Sequence, residues 1–136
     1  MNVAFFLTPK SDVVWIPARA TMRQALEKME HHRWAAVPVL DDEGRYVGTL
    51  TEGDLLWKMK STPGLDFTRT ESVSLADVPL RSRAESVEIH VDIEALFQRA
   101  VDQNFVPVVD GRGVLMGIVR RKAIIEYCTS KIAGPH

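Results

Sequence analysis

Cysteine is almost absent from this chain. The single Cys128 rules out an internal disulfide, fits a reducing compartment, and is expected to be packed on a helix without a histidine nearby. An excess of one charge sign is also missing. Seventeen Lys and Arg against 18 Asp and Glu give a formal net charge of −1, whereas a general nucleic-acid binder would carry a basic surplus. No apolar run reaches the roughly 18 residues of a membrane helix. The apolar start Met1-Asn2-Val3-Ala4-Phe5-Phe6-Leu7 has no basic leader and is closed by Pro9-Lys10, so it does not suit a signal peptide. Catalytic signatures are lacking too: there is no Gly-x-Ser-x-Gly elbow, no Walker loop and no paired carboxylates. His31 and His32 are neighbours and would point about 100° apart on a helix, so they cannot share a metal. His90 and His136 have no partners at ligand spacing. These absences lead to the expectation of a cytoplasmic protein that is not an enzyme, holds no metal or cofactor, and has neither nucleic acid nor membrane as a partner.

What is present is a repeat. The chain has 136 residues, 46% of them hydrophobic and 26% charged, the balance of a folded globular protein. Val37-Pro38-Val39-Leu40-Asp41 is followed by Gly44 and Gly48; Val106-Pro107-Val108-Val109-Asp110 is followed by Gly113 and Gly117. Each landmark is displaced by 69 positions (107 − 38, 113 − 44, 117 − 48). Three landmarks in one register imply two tandem copies of one unit. The copies diverge at one place: Thr51-Glu52-Gly53-Asp54 in the first corresponds to Arg120-Arg121-Lys122-Ala123 in the second.

Periodicity and breakers outline each copy. After an amphipathic lead-in over 3–9, the β-branched and aromatic stretch 12–16 predicts a strand stopped by Pro17. Thr21 offers an N-cap with Gln24 three residues on, and Met22, Ala25, Leu26 and Met29 recur at helical spacing to about His32. Segments 36–40 and 46–50 predict a hairpin about the turn at 41–44, and a helix follows from Thr51 with Leu55, Leu56 and Met59. The polar residues 61–71 predict a linker. The second copy repeats the order: lead-in 73–79, strand 87–89, a helix capped by Asp92 with Ile93, Leu96, Phe97, Ala100 and Val101 buried, hairpin strands 105–109 and 115–119, and a last helix over 121–130. Trp15, Trp34 and Trp57 are expected in the core or on a dimer face. The mostly apolar strands 36–40 and 106–109 suggest a sheet covered on both faces. The expected fold is α/β (α+β), with two β-α-β-β-α repeats at 1–60 and 72–136 joined by 61–71. Neither half buries much surface alone, so the two are expected to pack by pseudo-twofold symmetry into one module.

The order of elements, the twin Val-Pro-Val-x-Asp segments and Gly48-x-x-Thr51-x-x-Asp54 after a strand resemble a tandem pair of CBS domains, over nearly the whole chain. Thr51 and Asp54 have two readings. As a capping box they would serve only the helix; at the mouth of a strand-to-helix turn, the same hydroxyl and carboxylate can grip a ribose cis-diol. The resemblance implies the second use, for an adenosine ligand. Arg120, Arg121 and Lys122 would sit at the positive end of the last helix, where cations are disfavoured. Either they form a solvated basic turn or an anion such as phosphate compensates them. If the pseudo-twofold brings the equivalent helix starts to a shared cleft, ribose would face Asp54 and phosphate would face Arg121 and Lys122. Ala123 cannot accept from a ribose and Arg120 replaces the hydroxyl, so one site per chain is expected. The resemblance places the base beside Ala76, Asp77, Val78, Thr49 and Leu50. It also places Arg33 and Asn104 near the phosphate, although a helix-end cation and a helix C-cap Asn explain those two without a ligand.

The expectation for function is a stand-alone regulatory CBS pair that binds AMP, ADP or ATP, is a homodimer as the resemblance implies, and signals to an unidentified protein partner in trans. The alternative ligand is cyclic di-AMP, because Val78-Pro79 and the basic pair after Gly117-Ile118-Val119 are similar to small two-CBS bacterial proteins that bind it. The rival from a different class is a ligand-free scaffold for dimerisation and docking.

Overall fold

The computed structural model describes residues 2–82 and 84–133. In chain order the elements are β1 (Thr8–Pro9), β2 (Ile16–Pro17), α1 (Met22–His32), β3 (Ala36–Leu40), β4 (Tyr46–Thr51), α2 (Glu52–Ser61), β5 (Val87–Glu88), α3 (Ile93–Asp102), β6 (Phe105–Val109), β7 (Leu115–Arg120) and α4 (Arg121–Ala133), with short 3-10 turns among them. The mixed α and β class is the one expected. Two compact units form: Val14–Arg83 is one, and Met1–Val13 with Ala84–His136 is the other. Hence the sequence repeats and the compact units do not coincide. Residues 1–13 open the first repeat in the sequence yet fold with the second, and the segment 61–83 folds with the first.

In the Val14–Arg83 unit, β2 runs parallel to β3 and β3 antiparallel to β4. Met22, Ala25 and Met29 of α1 meet Val37, Val39, Leu50 and Leu55 in one core, with Leu75 and Val78 added from the later segment. The helical spacing of the α1 residues and the all-apolar β3 therefore serve the same core. Thr21 and Gln24 make the expected capping box at the start of α1. The expected strand over 12–16 is reduced to Ile16–Pro17: residues 10–12 form a 3-10 turn, and pairing with β3 begins only at Ile16 opposite Val39. Residues 61–71 are also more than a linker. Thr70 is fully buried, accepts from Arg23 Nε at 2.9 Å, and lies in a 3-10 helix, Phe67–Ser72, whose Phe67 ring packs under the Arg23 guanidinium at 4.2 Å.

The other unit has a sheet in the order β1-β7-β6-β5, and its core takes Val3 and Phe6 from the N-terminal segment along with Leu96, Ala100, Val106, Val108, Val119 and Ile124. The repeat holds down to single hydrogen bonds. Asp41 Oδ1 accepts from the Glu43 and Arg45 amides, and Asp110 Oδ1 from those of Arg112 and Val114. Gly44 and Gly113 turn the chain at φ 80° and 82°, a region glycine enters without the Cβ clash. The Arg45 backbone amide, foremost, holds the Asp41 carboxyl below its ordinary value of 3.8. A side chain on Gly48 would meet Leu80 Cδ1 at 2.8 Å, and one on Gly117 would run into the Thr8 carbonyl oxygen. The two repeat glycines are thus the places where each unit accepts a lead-in segment across its β-strand.

Five further expectations are corrected. Val101 is 74% exposed, because it lies one residue beyond Ala100 and so about 100° around α3 from the buried Leu96–Ala100 face. Cys128 is exposed, not packed. Asp92 precedes α3, but its side chain makes no cap hydrogen bond. The C-cap of α3 is Gln103 rather than Asn104. The last helix continues past Ser130 to Ala133. His136 lies outside the described residues.

Candidate functional site

The β4–α2 turn is built by reciprocal capping. Thr51 has extended backbone and its Oγ1 accepts from the Asp54 amide at 3.1 Å, while Asp54 Oδ2 accepts from the Thr51 amide at 2.9 Å. This satisfies two of the donors a helix start leaves open. Asp54 is nevertheless more than a cap. It is 3% exposed, and its second oxygen, Oδ1, accepts from the Arg81 amide at 3.0 Å. A buried carboxylate thus ties the start of α2 to a segment 27 residues later.

That segment is the second lead-in. Leu75 and Val78 are buried in the Val14–Arg83 core, leaving Ala76 and Asp77 exposed. Leu80 closes against Gly48. The structure therefore brings Thr49, Leu50, Thr51 and Asp54 into one unit with Ala76, Asp77 and Val78. Their accessibility differs sharply. Leu50 is fully buried and Thr49 is 3% exposed, with the Thr49 hydroxyl 2.7 Å from that of Tyr46. Burial pushes the Tyr46 hydroxyl above its ordinary value of 10.0, against the opposing effect of the Thr49 contact.

Arg33 is at a different place in the same unit. It caps α1 in the left-handed conformation, φ 58°, and lines an open groove of about 1020 Å³ between α1 and α2 with Leu26, Glu30, Glu52, Leu55 and Met59. Neither Thr51, Asp54 nor residues 76–78 line that groove.

Arg120, Arg121, Lys122 and Asn104 belong to the other unit. Arg120 is exposed at the end of β7. The guanidinium of Arg121 donates to three carbonyl oxygens at the end of α3: Ala100 at 2.7 Å and Gln103 at 3.1 Å from Nε, and Val101 at 3.3 Å from a terminal nitrogen. Its amide also donates to Asn104 O at 2.9 Å. A cation at the start of α4 is therefore accommodated by the negative end of α3, where the sequence suggested an anion. Lys122 is exposed, with Glu126 3.8 Å away one turn on.

Two residues lie at the β4–α2 turn although the sequence reading did not place them there. Arg81 reaches Asp54 through its backbone, and its guanidinium lies 6.0 Å from the centre of the Trp57 ring. Trp57 is 43% exposed, with its indole nitrogen 3.9 Å from where a side chain on Gly53 would begin. Only the register of the second lead-in against Gly48 could have pointed to Arg81. Among the described residues no group of three or more His, Cys, Asp or Glu could hold a metal ion, and no helix is long and apolar enough to cross a membrane.

A repeated β-α-β-β-α pattern whose first strand-to-helix turn carries Gly-x-x-Thr-x-x-Asp defines a class of small regulatory modules. The chain belongs to the CBS domain family, whose sequence model matches residues 6–61 and 75–130. Among curated proteins it is similar to inosine-5′-monophosphate dehydrogenase of Mycobacterium bovis, 26% identical over 106 residues; the match takes in 78% of this chain but 18% of that protein. This chain thus corresponds to under a fifth of that relative's length. Among solved structures it resembles CbpB in complex with c-di-AMP, with a TM-score of 0.86 and 20% identity, covering 98% of this chain and 87% of that one. CbpB of Listeria monocytogenes, also in complex with c-di-AMP, matches with a TM-score of 0.84 and 21% identity over 96% and 97% of the two chains. At this identity the likeness establishes the fold.

Proposed function

We propose that the chain is a regulatory CBS pair that binds an adenine nucleotide (AMP, ADP or ATP) at the β4–α2 turn, acts as a homodimer, and passes its ligand state to a partner protein in trans. The observation that carries this reading is Asp54. A carboxylate offers about four acceptor positions, and two backbone amides take one on each oxygen. Acceptor capacity remains for ribose hydroxyls at a turn that also presents the Thr51 hydroxyl. Residues 76–78, anchored by Val78 in the same core, form the surroundings of the base together with Thr49 and Leu50. In the second repeat Arg120 and Ala123 stand where Thr51 and Asp54 stand in the first, so binding occurs at one such turn per chain. The ligand alters the signal only to the extent that it binds one arrangement of the chain better than another. Exposed Leu56, Val101, Ile125 and Ile132 leave apolar helix surface for a second copy or a partner.

A second reading, cyclic di-AMP as ligand, is favoured by the two CbpB structures that contain it. Calorimetric titration of the full chain with AMP, ADP, ATP and cyclic di-AMP separates the readings. A saturable heat with one of the four is the expected result and names the ligand. Absence of heat with all four refutes nucleotide sensing and leaves the scaffold.

A further inference from the structure

We infer that Arg81, which no motif singled out, takes the phosphate of the nucleotide bound at the β4–α2 turn. The inference rests on the nucleotide reading above and identifies its missing cation. A nucleotide whose ribose is held by Asp54 brings a phosphate close to a buried carboxylate. That is unfavourable unless a positive group stands beside them.

Arg81 is placed for this. Its backbone amide is already bonded to Asp54, so its side chain starts from the ribose end of the site. Its guanidinium has no carboxylate within ion-pair distance among the described residues, whereas Arg19, Arg23, Arg45 and Arg99 each have one. Arg121, the cation the sequence suggested, is turned to the α3 carbonyls through its Nε and one terminal nitrogen. The guanidinium of Arg81 rests instead near Trp57 at 6.0 Å, and Lys60 Nζ lies 5.2 Å from the same ring. An aromatic face stabilises a guanidinium without using its N–H donors, which leaves the planar fork for phosphate oxygens. Lys60 adds a second positive charge at that ring.

The test titrates AMP and adenosine into the full chain, as wild type, Arg81→Gln and Arg112→Gln. Glutamine at 81 keeps the backbone amide that Asp54 accepts from, and Arg112→Gln removes the same charge from the other unit. The expected result is a loss of AMP affinity of about tenfold or more in Arg81→Gln, the scale of a charge-assisted hydrogen bond. Adenosine affinity should change by less than about twofold, and Arg112→Gln should leave both unchanged. Equal weakening of AMP and adenosine, or an unchanged AMP affinity, overturns the assignment of Arg81 while leaving the nucleotide reading in place. If wild type binds none of AMP, ADP, ATP and cyclic di-AMP, both inferences fall together before any variant is made.

Discussion

Replacing Asp54 by alanine is the sharpest probe of this structure, because two accounts of the residue predict different losses. As a surface cap it would be worth about 1 kcal/mol. The structure instead shows a carboxylate 3% exposed that accepts from the Thr51 amide at 2.9 Å and the Arg81 amide at 3.0 Å. Hydrogen bonds to a charged group contribute about 1.5–3 kcal/mol each, and the donors left behind also suffer desolvation. Both amides are only partly buried, so water recovers some of the loss and the lower figure applies to each. The expected destabilisation is about 3 kcal/mol. Urea unfolding with a fixed slope, read as a shift in midpoint, measures it directly. Asp54→Asn should lose about half as much, since its amide group can accept from one backbone N–H but presents a donor to the other. A loss of about 1 kcal/mol or less for the alanine variant would mean that the Arg81 contact contributes nothing and that Asp54 is only a helix cap.

The paired glycines give a second check by thermal unfolding. Gly117→Ala forces a methyl group against the Thr8 carbonyl oxygen and should cost about 2–3 kcal/mol, as overpacking against an immobile group does. Gly48→Ala meets only the end of the Leu80 side chain at 2.8 Å and should cost less than about 1.5 kcal/mol; equal losses would refute the close approach of β1 to β7. Arg121→Ala removes three hydrogen bonds, two of them shared by one N–H, from the α3 carbonyls and should destabilise by about 2 kcal/mol, whereas Lys122→Ala should leave stability unchanged. An Arg121 variant as stable as wild type would refute the carbonyl cap.

Several features were legible because they depend on neighbours in the chain. The displacement of 69 positions and the alternation of β-branched strands with amphipathic helices are short-range patterns. So are the capping boxes at Thr21–Gln24 and Thr51–Asp54, since a cap joins residues three apart. The glycine turns belong here too: a positive φ at Gly44 and Gly113 is a local steric matter. From these the repeat, the fold class and half of the candidate site follow.

The rest depended on contacts between distant segments. Nothing in residues 3–9 reveals that Val3 and Phe6 join the core of the second repeat, nor do residues 61–83 reveal that Thr70, Leu75 and Val78 complete the first. Backbone amides have no residue-specific signature, so the Arg81–Asp54 bond was invisible in the sequence. The charge pattern of Arg120-Arg121-Lys122 suggested an anion because the sequence shows a helix start but not the carbonyl oxygens of α3 brought beside it. The sequence alone determined which elements form and where a hydroxyl and a carboxylate stand together, since backbone propensity and local hydrogen bonds act over a few residues. Tertiary structure alone decided that the Arg121 guanidinium meets the α3 carbonyls and that the Arg81 amide meets Asp54, because those groups come together only when the chain folds.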